Sequence, residues 1–323
     1  MISINYLNNT EQEPIIFDPL YKFEKELNDI MSEVDIAYQE YVSNKKLYEL
    51  DTMFLEADKV DDKKKEKADD SEKNFVSKVG SAVINMFKKA IAFITEILDK
   101  LKEKFNPMKN KVSKVEAICK QNPGLEKHLT DDIKKQLEEG KLSITDLKAL
   151  AELDKTYTEI TNMAKKADVD PKSLKAKWEA AKNKFANADK TPIIMGAVGI
   201  ATSIVAIDRA NKVIQDNKRR ASDNLAAYTQ WEQTYGSGDV MHNDKGVFRT
   251  LADASRFMTH QYVASAQEAN SITVFFANLL DSVFNRINPN AAKNAKNNVL
   301  AHAAQAKVQG DTESSIENHR RNN

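Results

Sequence analysis

The stretch DPLYKFEKELNDIMSEVDIAYQEYV, residues 18–42, decides the fold class of this chain. Its apolar residues recur every three or four positions, which is the spacing of one face of an α-helix. Asp18 and Pro19 suit the start of a helix, as an N-cap followed by proline at the first helical position. We therefore predict a long amphipathic helix from Pro19 to about Met53, with an apolar face of Leu20, Phe23, Leu27, Ile30, Met31, Val34, Tyr38, Tyr41 and Val42.

Two further long stretches repeat this spacing. The first runs from Phe75 to Phe105 with lysines beside its apolar face, and we expect Asn106–Pro107 to end it because the residue before a proline disfavours helix. The second covers residues 247–287 and has a continuous apolar stripe. Both are predicted to be amphipathic helices whose apolar faces lie in a core.

Shorter helices are predicted between these long ones. Their N-caps are expected near Thr130, at Ser143 or Thr145, and at Asp170, which precedes a proline. The chain of 323 residues has 9 glycines and 7 prolines, too few for a turn-rich β architecture. We predict an all-α protein: a multi-helix bundle with long amphipathic helices and one apolar central helix.

The apolar helix of this prediction is the stretch PIIMGAVGIATSIVAI, residues 192–207. Its 16 residues carry no charge, yet they fall short of the roughly 20 that span a bilayer. Small residues recur in it at a spacing that lets helices approach closely. Two interpretations stay open, a buried core helix and a conditional membrane or pore-lining segment. Its candidate residues are Ile193, Gly196, Gly199, Ser203 and Ile207.

Charge is distributed unevenly along the chain. Residues 1–56 hold twelve acidic residues and four lysines, a net charge of −8, and because the whole chain is formally neutral the remainder carries +8. Residues 58–73 are almost purely charged, which favours disorder, with a solvated helical extension as the alternative. We predict five segments: an acidic helical leader (1–56) that can be removed, a charged disordered linker (57–74), a helical region with short capped helices (75–190), an apolar helix plus long helices (191–290) and a flexible polar tail (291–323).

No recognisable catalytic motif occurs in the sequence. The five histidines stand far apart, and the single cysteine, Cys119, has no paired ligand, so we propose no metal site and expect a small buried residue at Cys119. Neither a glycine-rich phosphate loop nor a Gly-x-Ser-x-Gly elbow is present. We expect a non-enzymatic protein without cofactors. The residues after Met1 lack a signal-peptide pattern, so we expect synthesis in a cytoplasm.

The boundary of the leader carries a short motif, Phe54-Leu55-Glu56-Ala57, directly before the charged run. An acidic leader, a helical body and such a junction resemble the internal head proteins of large tailed bacteriophages. In that family a prohead protease cuts after Leu-x-Glu or Ile-x-Glu, with Ala or Gly next, and Phe54 departs from that pattern. Leu137-Glu138-Glu139-Gly140 fits it more strictly, but it is predicted to lie at a helix end, where a protease would reach it less easily.

The resemblance implies a homo-oligomeric or multi-copy virion protein, inside the head, that contacts capsid or scaffold proteins and DNA without sequence preference. A cut after Glu56 would remove the −8 leader and leave a +8 body when DNA is packaged. The leader helix would then be a delivery element that docks through its apolar face. The body would be ejected with the genome. The alternative is a helical pore-forming or membrane-associated protein that uses residues 192–207 as its membrane segment, and a plain helical scaffold is a third interpretation.

Overall fold

The computed structural model describes residues 18–54, 62–125, 131, 143–166, 169–192, 200–235 and 245–287. These residues form an all-α, multi-helix bundle, as predicted, in which the only strands described are a pair of two residues each. In chain order the elements are α1 (Asp18–Phe54), α2 (Asp62–Gln121), β1 (Ser143–Ile144), α3 (Leu147–Met163), α4 (Pro171–Ala186), β2 (Thr191–Pro192), α5 (Ile200–Tyr235) and α6 (Lys245–Ile287). Strands β1 and β2 are antiparallel.

The chain divides into two compact units, each assembled from separated segments. Unit 1 comprises Met1–Leu101, Ser143–Ile193 and Arg209–Ser271, and unit 2 comprises Lys102–Leu142, Ile194–Asp208 and Ile272–Asn323. Helices α2, α5 and α6 contribute residues to both units. The rest of the fold description concerns unit 1 unless stated, because it contains α1 and all of its described contacts.

Helix α1 confirms the prediction from the opening stretch. It begins at Asp18 and ends at Phe54, and its inner face is buried at every third or fourth position. Its partners are aromatic side chains of α2: the ring of Phe23 lies 5.8 Å from that of Phe93, and the ring of Tyr38 lies 5.5 Å from that of Phe75. The buried residues are Phe23, Leu27, Met31, Val34, Ala37 and Tyr41.

Helix α2 corrects two predictions. It begins at Asp62, so the disordered linker predicted for 57–74 is wrong over residues 62–74, while residues 57–61 lie outside the described residues. The charged run is helical because Lys, Glu and Ala have good helix propensity and because Ala68, Ser71 and Phe75 form a buried face. The helix also continues through Pro107, where we predicted its end, although an interior proline removes one intrahelical hydrogen bond and costs about 3 kcal/mol.

Helices α3 and α4 start at aspartate caps. Asp146 caps α3 by accepting a hydrogen bond from the Lys148 backbone N–H at 2.9 Å, so the prediction of Ser143 or Thr145 is wrong. Ser143 belongs to β1, and the backbone N–H and hydroxyl of Thr145 both donate to Glu268 of α6. For α4 the predicted cap is confirmed, because Asp170 accepts from the backbone N–H groups of residues 172 and 173.

Helix α5 corrects the prediction of a separate apolar helix over 192–207. Pro192 is part of β2, residues 193–199 lie outside the described residues, and from Ile200 the chain is one helix that continues to Tyr235. The polar residues from Asp208 onward therefore continue the same helix as the apolar residues 200–207. Helix α6 agrees with the helix predicted over 247–287 to within two residues.

Candidate functional site at the acidic helix

The predicted cleavage motif falls at the end of α1. Phe54 is the last residue of the helix, and Leu55, Glu56 and Ala57 lie outside the described residues, as does the second motif at Leu137–Gly140. The next helix begins at Asp62. A cut between Glu56 and Ala57 would therefore fall between Phe54 and Asp62, the described ends of the two helices.

The predicted membrane or core residues are only partly described. Ile193, Gly196 and Gly199 lie outside the described residues, Ser203 lies within α5, and Ile207 is buried at 2% exposure. Within the described ranges, no helix is both long enough and apolar enough to cross a membrane. Cys119 is buried, as expected.

Two acids of α1 pair with lysines of α2. Glu26 Oε2 lies 2.7 Å from Lys89 Nζ, and Glu33 Oε2 lies 3.4 Å from Lys78 Nζ. The four side chains are between 33% and 67% exposed, so each pair is screened by solvent and contributes at most about 1 kcal/mol. These pairs orient α1 on α2 but contribute little to the free energy that holds the two helices together.

Two more acids of α1 lie close to side-chain nitrogens of α6. Glu24 Oε1 lies 2.8 Å from His260 Nε2, and Asp35 Oδ1 lies 3.6 Å from Arg249 Nη2. The Arg249 guanidinium also stands 5.2 Å from the ring of Tyr38, a cation–π contact with the same helix. In all four pairs between α1 and the rest of unit 1 that are described, α1 supplies the acid. Helix α1 is therefore an acidic cover, with basic side chains along its margins.

The apolar face of α1, through which we predicted docking on a scaffold or shell protein, packs against the rest of unit 1 in this structure. That face is buried within unit 1, where Phe23, Leu27, Val34 and Tyr41 are each at most 2% exposed. Burying a large apolar side chain contributes roughly 1.5–3 kcal/mol, so these four contribute more than the four ion pairs together. Apolar packing therefore holds α1 in place, and charge orients it.

The outer face of α1 carries a second apolar feature that sequence reasoning missed. Four exposed large apolar side chains lie on α1: Tyr21, Ile36, Leu47 and Leu50. A groove of about 460 Å³ between α1 and α6 lies next to Ile36. It is lined by Asn28, Met31, Ser32, Asp35, Ile36, Gln39 and Arg256, and Arg256 donates a hydrogen bond to Asn28 Oδ1.

A polar cluster inside unit 1 joins α3 to α5 and α6. One oxygen of Asp154 accepts hydrogen bonds from Asn224 Nδ2, at 2.8 Å, and from the Tyr262 hydroxyl, and its other oxygen lies 3.2 Å from Arg220 Nη1. Burial, with the adjacent Asp154 carboxylate, holds the pKa of the Tyr262 hydroxyl far above its ordinary value. Three donors fix this carboxylate, which suits a structural role rather than proton transfer.

Metal chemistry finds no support in the described part of the chain. Among those residues, no group of three or more His, Cys, Asp or Glu side chains is placed to hold a metal ion.

No protein-family model, curated protein or solved structure matches the chain. The candidate site is the acidic helix α1, with Lys78, Lys89 and Arg249 along its margins and the groove beside it.

Proposed function

We propose that this chain is a non-enzymatic virion protein of the bacteriophage head, packaged with DNA in many copies, cut after Glu56 and ejected with the genome. The observation that carries the proposal is the division of charge across the α1 interface. Helix α1 supplies the acids, and Lys78, Lys89 and Arg249 supply the cationic groups. A protein of this design is neutral during assembly and presents cations to DNA once its acidic helix is displaced.

The position of the motif supports processing at this junction. The glutamate before the cut follows the end of α1 by two residues, and α2 starts five residues after Ala57. Cleavage there separates the acidic helix from the body without unfolding a helix. The residues on the two sides of the cut carry formal charges of −8 and +8.

Cleavage alone would not release α1, because its inner face remains buried. Four fully buried side chains contribute roughly 6–12 kcal/mol before the entropy of ordering them is subtracted. The nicked protein keeps its cover until a polyanion competes with α1 for Lys78, Lys89 and Arg249. Packaged DNA is such a competitor, and its phosphates would be neutralised without any sequence preference.

The first test is intact mass measurement with peptide mapping on protein recovered from purified particles. We expect a chain that begins at Ala57, together with a fragment that ends at Glu56. A full-length chain in mature particles, or absence of the protein from particles, would reject the proposal. A Glu56→Gln variant should block the cut, whereas Glu139→Gln, in the second motif, is the matched control and should leave it unchanged.

The second test compares DNA binding by the full chain and by the chain that starts at Ala57. The shorter chain should bind duplex DNA more tightly, with an affinity that falls steeply as salt rises. If both chains bound DNA equally weakly, the proposed role in DNA binding would be rejected. Binding of the full-length chain to liposomes would instead favour the alternative, a membrane-associated protein that uses residues 192–207.

A further inference from the structure

The outer face of α2 lacks acidic residues over about six turns of helix. No Asp or Glu occurs in the 23 residues between Glu72 and Glu96, which hold four lysines. At 100° per residue, nine of these residues fall on an arc of about 120° opposite the buried side of the helix, and we call them the lysine face. They are Asn74, Ser77, Lys78, Ser81, Asn85, Lys88, Lys89, Ala92 and Thr95.

The lysine face carries side chains of the kinds that contact phosphate groups. Three of its nine residues are lysines, and four are serine or asparagine, which donate hydrogen bonds to phosphate oxygens without reading sequence. Seven of the nine are exposed, and Lys89 and Thr95 are half-buried. From Asn74 to Thr95 the face is about 32 Å long. A phosphate backbone can therefore lie along it.

Acidic residues bound the lysine face without entering it. Asp70 precedes it by one turn of helix, and Glu96 follows it. On one side the Glu232 carboxylate of α5 packs against Gly80, which lies about 60° outside the arc. Burial raises the pKa of Glu232, so the charged form of this carboxyl is disfavoured. The nine residues of the face have a formal charge of +3.

Helix α1 neutralises two of the three lysines of this face. Glu33 pairs with Lys78 and Glu26 pairs with Lys89, whereas none of the described acids pairs with Lys88. The two glutamates lower the net charge along the face from +3 to +1. Both pairs are partly exposed, so phosphates in solution can compete for the lysines.

A nucleic acid fits this face better than a membrane surface does. A helix that lies in a membrane interface needs large apolar side chains beside its lysines. Among the described residues, the exposed large apolar side chains lie on α1 and α5, and none lies on α2. The lysine face instead offers positive charge and hydrogen-bond donors, which are the groups that a phosphate backbone binds.

We propose that the lysine face of α2 is the surface along which this protein binds the phosphate backbone of duplex DNA. The proposal rests on the DNA-binding role proposed above and assigns that role to one helix. Lys78, Lys88 and Lys89 neutralise phosphates, and the serines and asparagines between them donate hydrogen bonds. Three neutralised phosphates predict that the logarithm of the binding constant falls with the logarithm of salt concentration at a slope of about −2.7.

Removal of the two α1 glutamates tests the proposal in the full-length chain. Glu26→Gln with Glu33→Gln frees both of their lysines and should raise the affinity for duplex DNA about tenfold at low salt, measured by fluorescence anisotropy. Glu152→Gln with Glu159→Gln is the matched control, because it removes the same charge and frees two lysines of α4. The control should bind as the wild-type chain does. An equal gain in the two double variants would overturn the proposal.

Substitutions on the lysine face test the location of the contact directly. In the Glu26→Gln, Glu33→Gln chain, Lys88→Ala should weaken binding and reduce the salt slope by about 0.9, the share of one phosphate contact. Ser81→Glu places an acid at the centre of the face and should weaken binding about tenfold, whereas Ser173→Glu, at an exposed position of α4, should not. Circular dichroism should report wild-type helix content for every variant. If the folded variants bind as tightly as their parent, the lysine face is not the binding surface.

The results separate the location of the contact from the DNA-binding role itself. If the chain that starts at Ala57 binds DNA but the substitutions on α2 change nothing, the location is wrong and the role stands. If neither that chain nor any full-length variant binds DNA, both are rejected. Vesicles of phosphatidylcholine and phosphatidylglycerol are the second probe, and binding to them without binding to DNA would also overturn the proposal.

Discussion

The acids of α1 and the Asp154 carboxylate of α3 carry the same charge, but their surroundings differ. Glu26 and Glu33 lie at the surface, and each pairs with one lysine. Asp154 is 22% exposed and is held by Arg220, Asn224 and Tyr262 from two other helices. The exposed carboxylates of α1 orient a helix that can be displaced. The Asp154 carboxylate instead joins α3 to α5 and α6 within unit 1. Substitutions in α1 and substitutions at the Asp154 cluster should therefore change the free energy of unfolding by different amounts.

The largest effect is expected for Leu27→Ala in the inner face of α1. Leu27 is 1% exposed, and truncating a buried leucine destabilises a protein by about 2–5 kcal/mol. Urea unfolding followed by circular dichroism should show this loss. Leu47→Ala, on the outer face of the same helix and 54% exposed, is the matched control and should have little effect. Similar losses for the two variants would contradict the division into inner and outer faces.

The second largest effect is expected for Asp154→Ala. It removes the acceptor that Arg220, Asn224 and Tyr262 share; Asn224 still donates to the Tyr262 hydroxyl, so the loss of about 1–3 kcal/mol comes mainly from the buried Tyr262 hydroxyl, which no longer has an acceptor. Glu152→Ala, an exposed acid on the same helix, serves as the control in the same urea titration. A loss no greater than that of the control would show that the cluster does not stabilise unit 1.

A smaller effect is expected for Glu26→Gln, which removes one charge from the α1 cover. The pair with Lys89 is partly exposed, so the free energy of unfolding should fall by at most about 1 kcal/mol, and by less at high salt. Glu40→Gln removes the same charge from the outer face and is the control. A loss as large as that of Leu27→Ala would mean that charge, not apolar packing, holds α1.

The smallest effect is expected for Glu232→Gln in α5. The Glu232 carboxylate packs against Gly80 of α2, where an added Cβ would clash with it, and burial raises the pKa of this carboxyl. A raised folded pKa means that the folded protein binds the proton more tightly than the unfolded chain. The contribution of Glu232 to stability therefore falls as pH rises from about 4 through that pKa.

The variant should accordingly be more stable than the wild-type protein at neutral pH. Its advantage should shrink as pH is lowered toward about 4, where Glu232 is protonated in both states. Urea midpoints measured across this range test the sign, with Asp223→Asn as the control at an exposed position of the same helix. An advantage that grows on acidification would contradict the assignment.

Local sequence signals predicted much of this fold. Helix α1 follows from its periodicity, helix α6 from its apolar stripe, and the start of α4 from Asp170 and Pro171, because all of these depend on neighbouring residues. The α3 cap was mispredicted since Thr145 is drawn into contact with Glu268, which lies 123 residues away. Pro107 was weighed as a local breaker, but α2 continues through it.

The candidate site was much less predictable. The sequence indicated an acidic leader, but the pairs Glu24–His260 and Asp35–Arg249 join residues more than 200 positions apart, and no periodicity reveals them. The sequence also did not show which partner each face of α1 would contact. The apolar face was predicted to dock elsewhere, yet it lies in the core, and the exposure of Ile36 became evident only from the fold.

The most direct test of the central claim is a specific protease site introduced between Glu56 and Ala57. After cleavage, the two fragments are passed through a sizing column at low and at high salt. We predict that residues 1–56 co-elute with the body at both salt concentrations and separate when Leu27→Ala is present or excess duplex DNA is added. Separation on cleavage alone, or at high salt without DNA, would contradict the claim that apolar packing holds the acidic cover.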